Sequence, residues 1–174
     1  MIYDILSIIL LGIIVFQDFK YKAISWIILP LLFVFTLISA FQKNAVIYVG
    51  EQFILNMAFI LFQLAMVTVY FSVKNRKMIN IWNTYLGLGD LLFFIILAGS
   101  FSFINFVLVY LSSLFIIIVA YALYRIIKKD GSEQIPLAGG MAAVMIFCLL
   151  FKNSKNLNFY DNTFVLALSG QFVL

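Results

Sequence analysis

Gly87-Leu88-Gly89-Asp90 places two glycines and a carboxylate at the start of an apolar run that is typical of a membrane helix. A second carboxylate, Asp18, closes the first apolar run of the chain. Ionisable side chains are costly at membrane depth, and those that occur there commonly belong to a functional site. The two aspartates therefore predict a paired-carboxylate site inside a membrane protein.

The composition defines the class of protein. Hydrophobic residues make up 66% of the 174 residues and charged residues only 10%, which is more apolar surface than a water-soluble domain of this length can bury. In lipid, only helices and closed barrels satisfy their backbone hydrogen bonds, and these long apolar runs lack the alternation of barrel strands. We therefore predict an all-α polytopic membrane protein.

Six apolar segments predict six transmembrane helices. A helix needs about 20 residues to cross a bilayer. They cover about residues 2–17, 23–41, 52–73, 90 to 100–105, 106–127 and 135–151. We expect residues 1–151 to form one six-helix transmembrane domain in the lipid bilayer. Residues 152–174 are expected to form an extracytoplasmic tail, because their apolar stretch, 164–168, is too short to span.

Basic residues are distributed unequally between the predicted loops. The positive-inside rule makes the richer side cytoplasmic, so we expect both termini outside the cytoplasm and a location in the cytoplasmic (inner) membrane. Asp18 and Asp90 then lie at the cytoplasmic ends of their helices, where we expect a water-accessible cleft. The net charge of +4 follows from this topology and does not indicate nucleic-acid binding. The eight cytoplasmic basic residues are Lys20, Lys22, Lys74, Arg76, Lys77, Arg125, Lys128 and Lys129, and the three outer ones are Lys43, Lys152 and Lys155.

The residue types that the chain lacks narrow its chemistry. It has no histidine, which excludes a Ser-His dyad, a Cys-His pair and a His-based zinc site, and its single cysteine, Cys148, lies inside the sixth span. Every lysine lies in a loop or at the end of a predicted helix, which argues against a Ser-Lys dyad. Paired aspartates remain: one carboxylate acts as base on a water molecule while the other, protonated, polarises the carbonyl oxygen. We expect no metal and no organic cofactor.

These residues resemble a known family. Gly87-Leu88-Gly89-Asp90 matches the G-x-G-D motif of intramembrane aspartyl proteases. Six spans, with one Asp after the first and another opening the fourth, are similar to the type IV prepilin peptidases and archaeal preflagellin peptidases. The stretch IPLAGG at residues 135–140 is similar to the Ile-Pro-rich segment that opens the last helix of that family. The resemblance covers most of residues 1–151.

The resemblance implies an endopeptidase that removes the short basic leader of prepilin-like membrane precursors at the cytoplasmic face. It implies catalytic roles for Asp18 and Asp90, and substrate contacts for Gly87, Gly89 and Pro136. The segment with paired cysteines that accompanies methyltransferase activity in the large bacterial enzymes is not in this sequence. We therefore expect a small peptidase-only form without N-methyltransferase activity. The precursor and the oligomeric state stay open.

Two other functions fit the same residues. One is a small transporter or channel subunit in which Asp18 and Asp90 relay protons or bind cations. The other is a scaffold of a pilus system whose protease site has decayed. Leu92 stands where family members often carry Lys, and Ser25 stands where Pro often follows the Ile at position 24. Transport predicts ion flux without a cleavage product, and a scaffold predicts neither. Asp90 also fits a purely structural role as a helix cap.

Overall fold

The computed structural model describes residues 2–76, 87–128, 136–161 and 163–168, and every regular element within these ranges is an α-helix. The all-α prediction is therefore confirmed for the described part of the chain. Lys77 and Lys129 of the topology argument, Ile135, and residues 169–174 of the expected tail lie outside it. The helices are α1 (Ile2–Tyr21), α2 (Ile28–Phe41), α3 (Val46–Asn75), α4 (Leu88–Ala98), α5 (Phe103–Lys128), α6 (Leu137–Lys155) and α7 (Thr163–Leu168).

Four of these helices are long and apolar enough to cross a bilayer, namely α1, α3, α6 and residues Phe103–Ile126 of α5. Helices α2 and α4 are also apolar, with 14 and 11 residues. At about 1.5 Å per residue they extend only about 21 and 17 Å, against a hydrocarbon core of about 30 Å. Length and composition within the described ranges therefore support a membrane protein with four of the six predicted spans.

The first two helices differ from the predicted spans at the loop that joins them. Helix α1 continues beyond residue 17, so Asp18 lies in its last turn, and it ends where Lys22 adopts a left-handed conformation with φ of 51°. Helix α2 begins only at Ile28, although the apolar run starts near residue 23. In the intervening loop the backbone N–H of Ser25 donates to Gln17 Oε1 at 2.9 Å. A side-chain acceptor thus replaces a helical carbonyl at this position.

Helices α1 and α6 form the most extensive helix–helix contact in the structure. The buried residues of α1 recur at alternating spacings of three and four, which is the pattern of a helix that buries one narrow seam. Small residues near the start of α6 let the two backbones approach closely. The buried residues of α1 are Asp4, Ser7, Leu11, Ile14 and Asp18. Those of α6 are Ala138, Gly139, Met141, Ala142, Met145, Cys148, Leu149 and Lys152.

Two polar contacts show that α1 and α6 are antiparallel. Asp18 Oδ2 accepts a hydrogen bond from the N–H of Gly139 at 2.6 Å, and Asp4 Oδ1 lies 2.9 Å from Lys152 Nζ. The end of α1 therefore meets the start of α6, and the start of α1 meets the end of α6. We call these the Asp18 end and the Asp4 end of the bundle. Helix α2 returns to the Asp4 end, where Ser39 Oγ donates to Asp4 Oδ1 at 2.7 Å.

The residues that follow α6 pack over the Asp4 end. Ser102 N–H donates to the carbonyl of Phe159 at 3.0 Å, and Asn105 Nδ2 donates to the carbonyls of Phe159 and Asp161 at 2.8 and 2.9 Å. The hydroxyl of Tyr160 donates to the carbonyl of Gly99 at 2.7 Å. The described part of the expected tail is thus packed against the helical body, with five buried side chains: Lys152, Leu157, Phe159, Tyr160 and Phe164.

Candidate active site

Asp18 is held at the Asp18 end by its position on the buried seam of α1. The side chain belongs to the last turn of that helix and is only 7% exposed. Its Oδ2 atom accepts the 2.6 Å hydrogen bond from Gly139 N–H. A carboxylate at the C-terminal end of its own helix opposes that helix dipole, but here it faces the positive N-terminal end of another helix. The α1–α6 pairing therefore offsets the unfavourable placement of Asp18 within α1.

Asp90 is positioned by the start of α4. Gly87 precedes this helix in an extended conformation, and its N–H donates to Asp90 Oδ2 at 3.3 Å. The other carboxylate oxygen, Oδ1, accepts a hydrogen bond from Ala138 N–H at 3.0 Å. Asp90 thus caps its own helix, as the structural interpretation expects, and in addition reaches the first turn of α6. The second contact is not needed to cap α4.

The two aspartates converge on consecutive backbone amides. Ala138 and Gly139 follow Pro136, which occupies the N-cap position of α6. The first N–H groups of a helix lack partners within that helix and bear partial positive charge, so they favour carboxylates. Asp18 and Asp90 are 72 residues apart in sequence, yet their carboxyl groups accept hydrogen bonds from neighbouring N–H groups. The result is a carboxylate pair bound to one helix N-terminus.

The predicted substrate-contact residues lie around this pair. A Cβ added at Gly87 would lie 3.2 Å from Asp90 Oδ2, so this glycine borders the carboxylate directly. A Cβ at Gly89 would instead meet Ile24 Cδ1 at 3.3 Å. The carbonyl of Pro136 accepts the N–H of Gly140 at 3.1 Å and so closes the first turn of α6. Their roles as substrate contacts remain predictions.

Gly139 contacts Asp18 directly, and the sequence alone does not predict this contact. A Cβ at this position would lie 2.9 Å from both Cβ and Oδ2 of Asp18, and 3.1 Å from the ring of Phe19. A side chain here would therefore displace the carboxylate or the α1 backbone. Small residues after Pro136 predict close packing, but the sequence does not indicate that the packed group is Asp18.

The two departures from the family pattern have different surroundings. Ser25 uses the backbone N–H that a proline would lack, because that N–H donates to Gln17. Leu92 is 38% exposed on the surface of α4. Neither side chain contributes a polar group to the carboxylate pair.

A buried charged cluster lies at the Asp4 end. Lys152 is in the last turn of α6, so it lies at a helix end as predicted, but it is only 7% exposed. Its ammonium group donates to Asp4 at 2.9 Å and to Ser39 Oγ at 3.1 Å. The assigned directions of these bonds argue against a Ser-Lys dyad in this arrangement. Lysine donates to serine and serine donates to the carboxylate, whereas a general base must accept the serine proton.

Comparison of the chain with protein-family models, with curated proteins and with solved structures finds no match. The described residues contain no group of three or more His, Cys, Asp or Glu side chains that could hold a metal ion. The features that bear on function are therefore the geometry of the carboxylate pair and the resemblance of the sequence motifs.

Proposed function

We propose that this protein is an intramembrane aspartyl endopeptidase of the prepilin peptidase type. Its substrates are membrane precursors with a short basic leader before an apolar helix, and cleavage falls between the two at the cytoplasmic face. The observation that carries the proposal is the binding of Asp18 and Asp90 to consecutive N–H groups at the start of α6. Two carboxylates held at one point are what general acid–base hydrolysis of a peptide requires.

In this mechanism the pair shares one proton, because two like charges at close range disfavour double ionisation. The ionised carboxylate takes a proton from the attacking water, and the protonated one gives its proton to the scissile carbonyl oxygen, which forms a tetrahedral diol. When the C–N bond breaks, the first carboxyl group gives its proton to the leaving amine, and a hydroxyl of the diol returns a proton to the second carboxylate. The N–H groups of Ala138 and Gly139 fix both side chains during this exchange. No group outside the chain is needed for the proton transfers.

A short α4 supports access of water to the pair. Helix α4 reaches only about 17 Å from Ala98 to its start, while the 30 residues of α3 extend about 45 Å. If Ala98 lies near the outer face, Asp90 lies inside the cytoplasmic boundary of a core about 30 Å thick. The proposal therefore includes six spans, with α2 and α4 crossing as short helices beside longer ones and a cleft open to the cytoplasm. Both termini are outside the cytoplasm.

The test is cleavage of a defined precursor by purified, reconstituted protein. The probe is a synthetic precursor with a basic leader of a few residues followed by a 20-residue apolar helix, which is about the length that spans a bilayer. We expect one product whose N-terminus lies at the leader–helix junction, read by mass spectrometry. Proton or cation flux in protein-containing liposomes, with no product from a panel of precursors, would instead support a transporter. Neither flux nor product would support a scaffold.

A further inference from the structure

A small, partly open cavity lies beside the charged cluster at the Asp4 end. Its volume is about 20 Å³, and α1, α2 and α6 all contribute to its wall. A cavity needs a volume of roughly 10–15 Å³, measured in the same way, to hold one water molecule. The space is therefore sufficient for one water molecule. Its polar lining includes Asp4, Ser7, Ser39 and Lys152.

Ser7 is the unusual member of this lining. The residue is 1% exposed, and within the described part of the chain no protein group makes a hydrogen bond with its hydroxyl oxygen. Three other buried hydroxyls donate to a carbonyl three or four residues earlier in the chain: Thr36 to Phe33, Ser100 to Ile96 and Ser113 to Tyr110. That bond is the usual solution for serine inside a helix. A buried hydroxyl without a partner costs about 1–3 kcal/mol.

The charges around the cavity restrict its occupant. A cation would face the ammonium group of Lys152, and an anion would face the carboxylate of Asp4, which lie 2.9 Å from each other. The pair is neutral as a whole, so it favours a neutral molecule that can both donate and accept hydrogen bonds. Lys152 directs two of its three ammonium hydrogens to Asp4 and Ser39, and its Nζ also lies 5.0 Å from the centre of the Phe159 ring. Among the described residues the third hydrogen has no hydrogen-bond acceptor.

We propose that this cavity binds one water molecule, which joins Ser7 Oγ to the Asp4–Lys152–Ser39 cluster. The water accepts from Lys152 and exchanges a hydrogen bond with Ser7, so that the hydroxyl acquires its missing partner. The network then links α1, α2 and α6 at the end opposite the carboxylate pair. This site is independent of the proposed peptidase activity.

The first test is an experimental structure of the full chain in nanodiscs at a resolution that shows ordered water. We expect one peak within hydrogen-bonding distance, about 2.6–3.2 Å, of both Ser7 Oγ and Lys152 Nζ. A cavity without density in such a map would overturn the proposal.

The second test compares the thermal denaturation of Ser7→Ala and Ser113→Ala in the same detergent. If the cavity is dry, Ser7→Ala removes an unsatisfied hydroxyl and leaves the midpoint unchanged or higher. If a water joins the network, the midpoint falls by about 2–4 °C, and it falls further than in Ser113→Ala, which loses only a bond to its own helix. Failure of Ser7→Ala to fold, while Ser113→Ala folds, would also support the water, because a dry cavity predicts no loss. A Ser7→Ala protein as stable as wild type would contradict it.

Discussion

Asp18 and Gly139 lie 121 residues apart in the sequence, and the carboxylate of one accepts a 2.6 Å hydrogen bond from the backbone N–H of the other. At the far end of the same helix pair, Asp4 and Lys152 form a buried ion pair. Helices α1 and α6 are therefore joined at both ends by a carboxylate of α1. Only the contact at the Asp18 end also includes a second carboxylate, Asp90, on the adjacent N–H.

The carboxylate pair predicts non-additive mutants. Asp18→Asn and Asp90→Asn should each reduce cleavage of the synthetic precursor by roughly 100-fold or more, and the double mutant should be no slower than the slower single mutant. Residues that carry one proton-transfer step together behave in this way. Asparagine keeps an oxygen that can accept from Ala138 or Gly139, so both variants should fold. The measurement is the initial rate of product formation.

Asp161→Asn is the matched control for these mutants, because Asp161 is an exposed acid at the Asp4 end. It should cleave at the wild-type rate. Substantial activity, above a few per cent of wild type, in either Asp18→Asn or Asp90→Asn would refute the pair as a catalytic unit.

Gly139→Ala should reduce cleavage because the added Cβ would lie 2.9 Å from Asp18 Oδ2. The carboxylate must move to make room for the added methyl group. A displacement of about 1 Å at a catalytic group can reduce the rate about 100-fold. Gly12→Ala is the control: it lies in α1, where a Cβ meets nothing within 4 Å. We expect Gly12→Ala to be as active as wild type. Equal activity of the two variants in the same assay would show that Gly139 does not position Asp18.

Lys152→Met should destabilise the protein strongly. It leaves the buried carboxylate of Asp4 without its ion-pair partner, and breaking a buried pair from one side commonly costs about 3–5 kcal/mol. Replacing both partners, in Asp4→Leu with Lys152→Met, should recover much of the loss, because no buried charge then remains. The readout is the folded fraction after heating in detergent, measured by size-exclusion chromatography.

Lys155→Met provides the control for Lys152→Met, since it removes an exposed lysine from the same helical turn. Its folded fraction after heating should equal that of the wild type. An ion pair of no structural consequence would instead make Lys152→Met and Lys155→Met indistinguishable.

The orientation of the protein can be tested by single-cysteine labelling in a Cys148→Ala background. Lys20 and Lys155 are both exposed, and they lie at opposite ends of the α1–α6 pair. We expect a cysteine at residue 20 to react from the cytoplasmic side and one at residue 155 from the outside, because the six-span prediction assigns eight of the 11 basic residues to the first side. Cytoplasmic labelling of residue 155 would reject the six-span topology.

Local properties of the sequence account for the helices. Long apolar runs predict α1, α3, α5 and α6, since backbone groups in lipid must be paired within the segment. The exact start of α2 could not be predicted, because residues 23–27 are compatible with a helix and are held outside it by contacts such as Ser25 with Gln17. The apolar character of the runs determines that helices form, and side-chain contacts decide where they end.

The sequence by itself indicates Asp18 and Asp90 as a candidate pair, because carboxylates in apolar surroundings are rare and costly. It did not determine that both bind the first turn of α6, nor that Lys152 is buried against Asp4. Both arrangements depend on the antiparallel pairing of α1 with α6, which brings together residues more than 110 positions apart. A lysine near a helix end is compatible with solvent or with burial, and only a carboxylate on the facing helix decides between them. Such partners are supplied by tertiary packing, which the periodicity of one segment does not encode.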